Sequence, residues 1–154
     1  MKLLLKTLRL IGVRKKYEVH FHKGLNYISG PTSTGKTAIL ELIDYAFGKT
    51  NHKSYIEIGE SCTDVELEFY ISENLYKIKR PLSAFKEPVL LQTYDSVKEK
   101  FTQARTLEID ILSNEKSLSY LLLSKLNLTN LIIRGGDFSF RDLFKFSYLK
   151  QTNI

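Results

Sequence analysis

The sequence predicts an α/β domain: a mixed sheet with an antiparallel β-subdomain at its N-terminal end, a helix behind a glycine-rich loop, and further helices towards the C-terminus. Three observations predict it. Residues 62–80 alternate apolar and polar side chains and reverse direction once. The stretch "GLNYISGPTSTGKTAILELIDYAFG" reads as strand, loop and helix in succession. After residue 117 the apolar residues recur at helical rather than strand spacing.

Taken in order, "KLLLKTLRLIG" and "KYEVHFHKG" read as two strands joined by a basic turn, "VRKK". In "GLNYISG", Leu25, Tyr27 and Ile28 read as extended and mostly buried, giving a third strand. In the helix that follows, Ile39, Leu42, Ile43 and Ala46 share one face, Glu41 and Asp44 take the other, and Gly48 is the stop. "CTDVELEFYI" turns Val65, Leu67, Phe69 and Ile71 inward and Asp64, Glu66, Glu68 and Tyr70 outward. After the turn "SEN", "LYKIKR" returns with Tyr76 and Ile78 on one face and Lys77 and Lys79 on the other. Acids of one strand opposite lysines of the next support an antiparallel hairpin.

"EPVLLQTY" reads as another short strand, whereas residues 95–110 carry no clear pattern. "SLSYLLLSKLNL" reads as a helix with Leu118, Leu121, Leu122 and Leu126 on its apolar stripe. "RGGDFSF" reads as a loop. Ser139, with Asp142 three residues on, opens a last helix through "FRDLFKFSYLKQ", whose buried face carries Phe140, Leu143, Phe144 and Tyr148.

Composition bounds the function classes. The chain has 154 residues, 43% hydrophobic and 26% charged, enough for one domain with a core. No apolar run reaches membrane-spanning length, so no membrane partner is expected. "MKLLLKTLRLIGV" has no small-residue cleavage site, and Lys6 and Arg9 interrupt it, so it reads as a strand rather than a signal peptide. The single cysteine, Cys62, allows no internal disulfide and fits a cytoplasmic location. His20 and His22 lie on a strand with no further ligands nearby and read as surface residues. The net charge is +6, and it is uneven: Lys2, Lys6, Arg9, Arg14, Lys15, Lys16 and Lys23 face one acid, Glu18, in residues 1–24. Such a stripe suits a polyanion such as DNA, or else guards a strand edge.

The chemistry-bearing motif is "GPTSTGKT", residues 30–37, with the spacing G-x-x-x-x-G-K-[ST]. A loop that wraps phosphates needs inward-pointing backbone N–H groups, which Gly30 and Gly35 permit. Lys36 supplies a compact positive charge for the β- and γ-phosphates, and the Thr37 hydroxyl suits Mg²⁺. The following helix directs the positive end of its dipole at the same anion. The candidate cofactor-binding residues are therefore Gly30, Pro31, Thr32, Ser33, Thr34, Gly35, Lys36, Thr37 and Ala38, with ATP and Mg²⁺ as the expected cofactors.

The order of these elements resembles the N-terminal lobe of the ATPase head in the SMC/SbcC/RecF-like branch of ABC ATPases. The phrases that carry the likeness are "GLNYISGPTSTGKTAILELIDYAFG", "VELEFYISENLYKIKR" and "FRDLFKFSYLKQTNI". The resemblance implies a P-loop NTPase half-domain over residues 1–154, a single lobe without the coiled coil and C-terminal lobe that complete such heads. It implies that Lys36 and Thr37 are the phosphate- and magnesium-binding residues. It also implies that Gln151 is the Q-loop glutamine that completes the magnesium shell, so the metal-site residues are Thr37 and Gln151. The implied partner is a complementary C-terminal lobe or second head, with DNA beyond it. The implied processes are DNA repair, chromosome maintenance and defence against phage or plasmids.

The chain departs from that pattern where the family usually has asparagine near the middle of the loop and this chain reads "PTST". It contains no "LSGG"-like string, and the family's signature serine, Walker B aspartate and catalytic glutamate belong to the missing lobe. "TLEIDIL" is a poor Walker B strand: Glu108 interrupts it and no second acid follows Asp110. No catalytic residue is therefore assigned. The rival readings are a complete small P-loop kinase or NTPase, which would need more parallel βαβ units, and a non-enzymatic nucleotide-sensing module.

Overall fold

The computed structural model describes residues 2–32, 35–52, 56–109, 114–129, 132–133 and 136–145. Strand β1 (Leu3–Gly12) pairs on one side with β2 (Lys16–His20) and on the other with β3 (Cys62–Ile71). β3 turns back into β4 (Asn74–Pro81), and β5 (Val89–Asp95) follows beside it. Two short strands, β6 (Lys100–Phe101) and β7 (Arg105–Leu107), both pair with β5, so the sheet runs β2-β1-β3-β4-β5-β6 with β7 beside β5.

Helix α1 (Lys36–Ala46) packs on β3 and β4. Helix α2 (Ile56–Ser61) leads directly into β3; the sequence pattern gave no sign of it. Helix α3 (Leu118–Lys125) and helix α4 (Phe140–Lys145) close the fold, separated by a two-stranded ribbon, β8 (Ile132–Ile133) and β9 (Gly136–Asp137). The ribbon replaces part of the loop expected at "RGGDFSF".

Alternation explains the sheet's inner face. Val65, Leu67, Phe69, Ile71, Tyr76, Ile78, Val89, Leu91 and Leu107 are all buried there, against Leu42, Ile43, Tyr45, Ala46 and Phe47 of the α1 region. In β1 the register shifts between Leu5 and Thr7. The shift lets Leu3 and Leu5 share a face with Leu8 and Leu10, although their spacing breaks a strict period of two. Leu118, Leu121, Leu122 and Leu126 are buried as the helical stripe predicted, and so are Phe140 and Phe144. Tyr148 lies outside the described residues.

Several expectations need correction. The sheet was expected to be mixed, but every pairing between described strands is antiparallel; the one parallel contact is the isolated bridge Glu108–Ser117. The cause lies in residues 25–30, the expected third strand, which pair with no strand among the described residues. Without a neighbouring strand to cover them, Leu25 and Tyr27 are 96% and 86% exposed rather than buried. Asp44 and Glu68, expected to face outward, are both buried, because arginines from other elements fold over them.

Candidate phosphate-binding site

The 30–37 loop leads from the unpaired segment into α1. Gly35 is the N-cap of α1 with φ 81° and ψ 8°, a left-handed conformation that a residue with a Cβ adopts only at a cost. Gly35 has no side chain with which to cap this end of α1, and no acid sits in its first turn. The first N–H groups of a helix have no partner within it, and the dipole concentrates positive potential beside them. A helix end that begins on a left-handed glycine suits an anion.

Lys36 reinforces that potential. Its Nζ donates to the carbonyls of Gly30 at 2.7 Å and Pro31 at 2.5 Å, so the ammonium lies back over the loop that precedes it. Thr37 is exposed one residue further, and Ala38 is buried. Gly30, Pro31 and Thr32 are exposed. The loop residues thus bring together a left-handed glycine, an ammonium group, an accessible hydroxyl and the start of a helix. That donor set fits a nucleotide polyphosphate with its Mg²⁺. Ser33, Thr34 and Gln151 lie outside the described residues, as does Asp110 of the poor Walker B match.

The other end of α1 is held by two guanidinium groups that the sequence pattern did not assign. Arg80, on the inward face of β4, is fully buried. It donates to the carbonyls of Tyr45 at 2.5 Å and Lys49 at 2.7 Å through Nη1, and to that of Phe85 at 2.9 Å through Nη2. Burial pushes its pKa down to about 10, Tyr45 opposes that shift, and the charge of Arg141 adds to it. Arg141, on α4, donates through Nε to Asp44 Oδ1 at 2.9 Å and through Nη2 to Asp44 Oδ2 at 3.2 Å. Cations suit a helix C-terminus, where the dipole is negative. The available signals were an acid inside "IDYAF" and the alternation that turns Arg80 inward after Tyr76 and Ile78.

The basic stripe is partly neutralised. Glu68 pairs with Arg9 and, at 3.2 Å, with Lys6; Glu18 pairs with Arg9 at 3.1 Å and Lys16 at 3.5 Å. Lys77 stands opposite Glu68 in the β3–β4 register, and its ammonium covers the Phe101 ring at 4.1 Å. Lys2, Arg14, Lys15 and Lys23 form no ion pair among the described residues. No described helix is long and apolar enough to cross a membrane.

Comparison with known proteins gives the family. A protein of Methanopyrus kandleri named DNA double-strand break repair Rad50 ATPase is 36% identical over 67 residues. That match covers 41% of this chain and 8% of the relative. A family profile described as AAA domain matches residues 2–151, nearly the whole sequence. The chain belongs to that family of AAA domains, as an SMC/SbcC-like ATPase N-terminal region.

Proposed function

We propose that this chain is the ATP- and Mg²⁺-binding N-terminal half of an SMC/SbcC-like ATPase head. The observation that carries the reading is the 30–37 loop: Lys36 folded back on the Gly30 and Pro31 carbonyls, and Gly35 left-handed at the start of α1. In this reading Gly30, Pro31, Thr32, Ser33, Thr34, Gly35 and Ala38 wrap the phosphates with backbone. Lys36 exchanges its carbonyl acceptors for β- and γ-phosphate oxygens. Thr37 and Gln151 hold Mg²⁺, which when bound neutralises charge on the phosphates. The chain alone turns over ATP negligibly, because no residue is assigned to orient the attacking water.

A second lobe completes the head. The support is the unpaired segment at residues 25–30, whose exposed Leu25 and Tyr27 have the pattern of a buried strand. Strands contributed by a C-terminal lobe or second head would cover them and supply the parallel part of the sheet. The rival small P-loop kinase gains nothing from the antiparallel order of β2-β1-β3-β4-β5-β6. DNA is the proposed polyanion of the assembled head, in keeping with the repair role in the relative's name. With Lys6, Arg9 and Lys16 engaged by acids, contact falls to Lys2, Arg14, Lys15 and Lys23. A cytoplasmic setting fits the single buried Cys62.

The test is calorimetric titration of ATP with and without Mg²⁺ into the pure chain, then an ATPase assay with and without the second lobe. Binding without turnover, and turnover on adding the lobe, is the expected result. Robust turnover by the pure chain would overturn the half-head reading, and absence of binding would overturn the nucleotide assignment.

A further inference from the structure

We propose that Asn26 is a positioning residue for the phosphate-binding loop: its side-chain amide ties down the segment that enters the loop, and so sets where the Gly30 and Pro31 carbonyls meet Lys36. The proposal rests on the nucleotide reading above and deepens it by naming a residue outside the 30–37 loop on which the loop's geometry depends.

Asn26 uses both ends of its amide on backbone groups. Oδ1 accepts from the His22 N–H at 2.9 Å, while Nδ2 donates to the His22 carbonyl at 2.9 Å and to the Gly24 carbonyl at 3.3 Å. Both backbone groups of His22 are thus engaged, as they would be by an opposite residue in an antiparallel ladder. Gly24 permits the reversal: its φ of 92° lets the chain turn back so that residue 26 reaches residue 22. The side chain of Asn26 therefore does within one turn what a strand partner does elsewhere in the sheet.

Little else holds this stretch. The Phe21 N–H donates to the Lys6 carbonyl at 2.9 Å, at the end of the β1–β2 ladder. Between Phe21 and Gly30, the hydrogen bonds formed by the described residues are the three of Asn26. Of residues 25–29, only Ile28 is half-buried; the others are exposed. A cavity of about 410 Å³, lined by Val19 of β2, Ile28, Ser29 and Ile39 of α1, lies alongside, so close packing does not fix the stretch either. Its course is set at its two ends. Asn26 is one, and the other is the pair of carbonyls, Gly30 and Pro31, that accept from Lys36 at 2.7 and 2.5 Å.

The connection between those ends is short. Tyr27, Ile28 and Ser29 alone separate Asn26 from Gly30, a reach of about 14 Å at full extension. A shift at Asn26 therefore passes to the loop entrance with little slack. The loop's exit is held independently, because Gly35 opens α1 and α1 packs on β3 and β4. Entrance and exit together decide where the loop's backbone lies under a phosphate, and whether Lys36 can pass from its carbonyl acceptors to phosphate oxygens. Asn26 itself is exposed, and an exposed turn residue without a positional role would be replaced without consequence.

The experiment compares the whole wild-type chain with N26A, N26S, K36A and N26A/K36A. Calorimetry measures ATP·Mg²⁺ affinity, and thermal melting follows the fold. Tryptic cleavage after Lys23, quantified by mass spectrometry without nucleotide, follows the turn, since the bond is cut from the opened form and the rate reports its population. N26A is expected to be cut there about fivefold faster, the scale of a lost hydrogen bond. It should bind ATP·Mg²⁺ about tenfold more weakly, the scale of one misplaced charge-assisted contact, while melting with the wild type. N26S, whose hydroxyl can still accept from the His22 N–H, should recover part of both losses. N26A/K36A should bind no more weakly than K36A, because Asn26 acts through the placement of that lysine. Losses that add in full, wild-type affinity in N26A, or cleavage of N26A at the wild-type rate would each overturn the positioning role while leaving the nucleotide reading intact. Failure of the wild-type chain to bind ATP·Mg²⁺ would be seen before the variants are compared, and would overturn the nucleotide reading and the positioning role together.

Discussion

The guanidinium of Arg80 lies 3.7 Å from the centroid of the Tyr45 ring and donates to the carbonyl of the same residue. One side chain thus reads both the aromatic face and the backbone of the last turn of α1. Tyr45 is buried as well, and its hydroxyl donates to the Pro81 carbonyl at 2.6 Å, one residue past Arg80. The β3–β4 hairpin and α1 are therefore joined in both directions. The Arg80 Nε is buried without an acceptor among the described residues, so the carbonyl bonds and the ring carry the charge.

Replacing Arg80 tests how far α1 depends on that contact. Arg80→Met keeps much of the volume but leaves the Tyr45, Lys49 and Phe85 carbonyls without this donor. Destabilisation of about 2–4 kcal/mol is expected from buried acceptors left unpaired. Denaturant unfolding measures it. A change below about 0.5 kcal/mol, the range of inert surface substitutions, would mean that water serves these carbonyls equally well.

Glu68 gives the fold an acid-sensitive element. Burial raises its carboxyl pKa, but hydrogen bonds and charge from Arg9 and Lys6 outweigh this and hold it below the ordinary value of 4.5. A depressed carboxylate stabilises the fold above its unfolded pKa and loses that contribution as pH falls through the lower folded value. The melting temperature of the wild-type chain should therefore fall more steeply below pH 4.5 than that of Glu68→Gln. Parallel profiles for the two proteins would show that the network with Lys6 and Arg9 contributes little.

Gly12 is fixed by close approach. A Cβ built there would lie 2.3 Å from the Ser61 carbonyl oxygen and 2.6 Å from that of Lys15, both backbone atoms. Gly12→Ala must push the β1–β2 turn away from the start of β3, at a cost of about 1–3 kcal/mol, typical of overpacking. Thermal melting reads the effect. An unchanged melting temperature would mean that the turn moves freely.

Lys36→Ala should weaken ATP·Mg²⁺ binding by about 2–3 kcal/mol, the scale of charge-assisted contacts. Calorimetry on the folded variant makes the comparison. Equal affinity in wild type and variant would remove residues 30–37 from the binding site.

Leu25→Ser and Tyr27→Ser should leave the isolated chain's stability within about 0.5 kcal/mol, because both side chains face solvent. The same changes should weaken association with the second lobe, followed by sedimentation of the mixture. Loss of stability in the chain alone would show that residues 25–30 already pack within it.

The sequence by itself determined the elements whose period is local. The β3–β4 hairpin, helix α1, the α3 stripe and the Ser139–Asp142 start of α4 could all be read, because alternation, helical spacing and capping pairs act over a few residues. Tertiary structure alone decided what distant residues do to one another. Asp44 and Glu68 carry the pattern of exposed acids, yet Arg141 and Arg9 arrive from far along the chain and bury them. Leu25 and Tyr27 carry the pattern of buried strand residues, yet they pair with no described strand and face solvent. Burial is set by neighbours in space, and a side chain's polarity states only what those neighbours must supply.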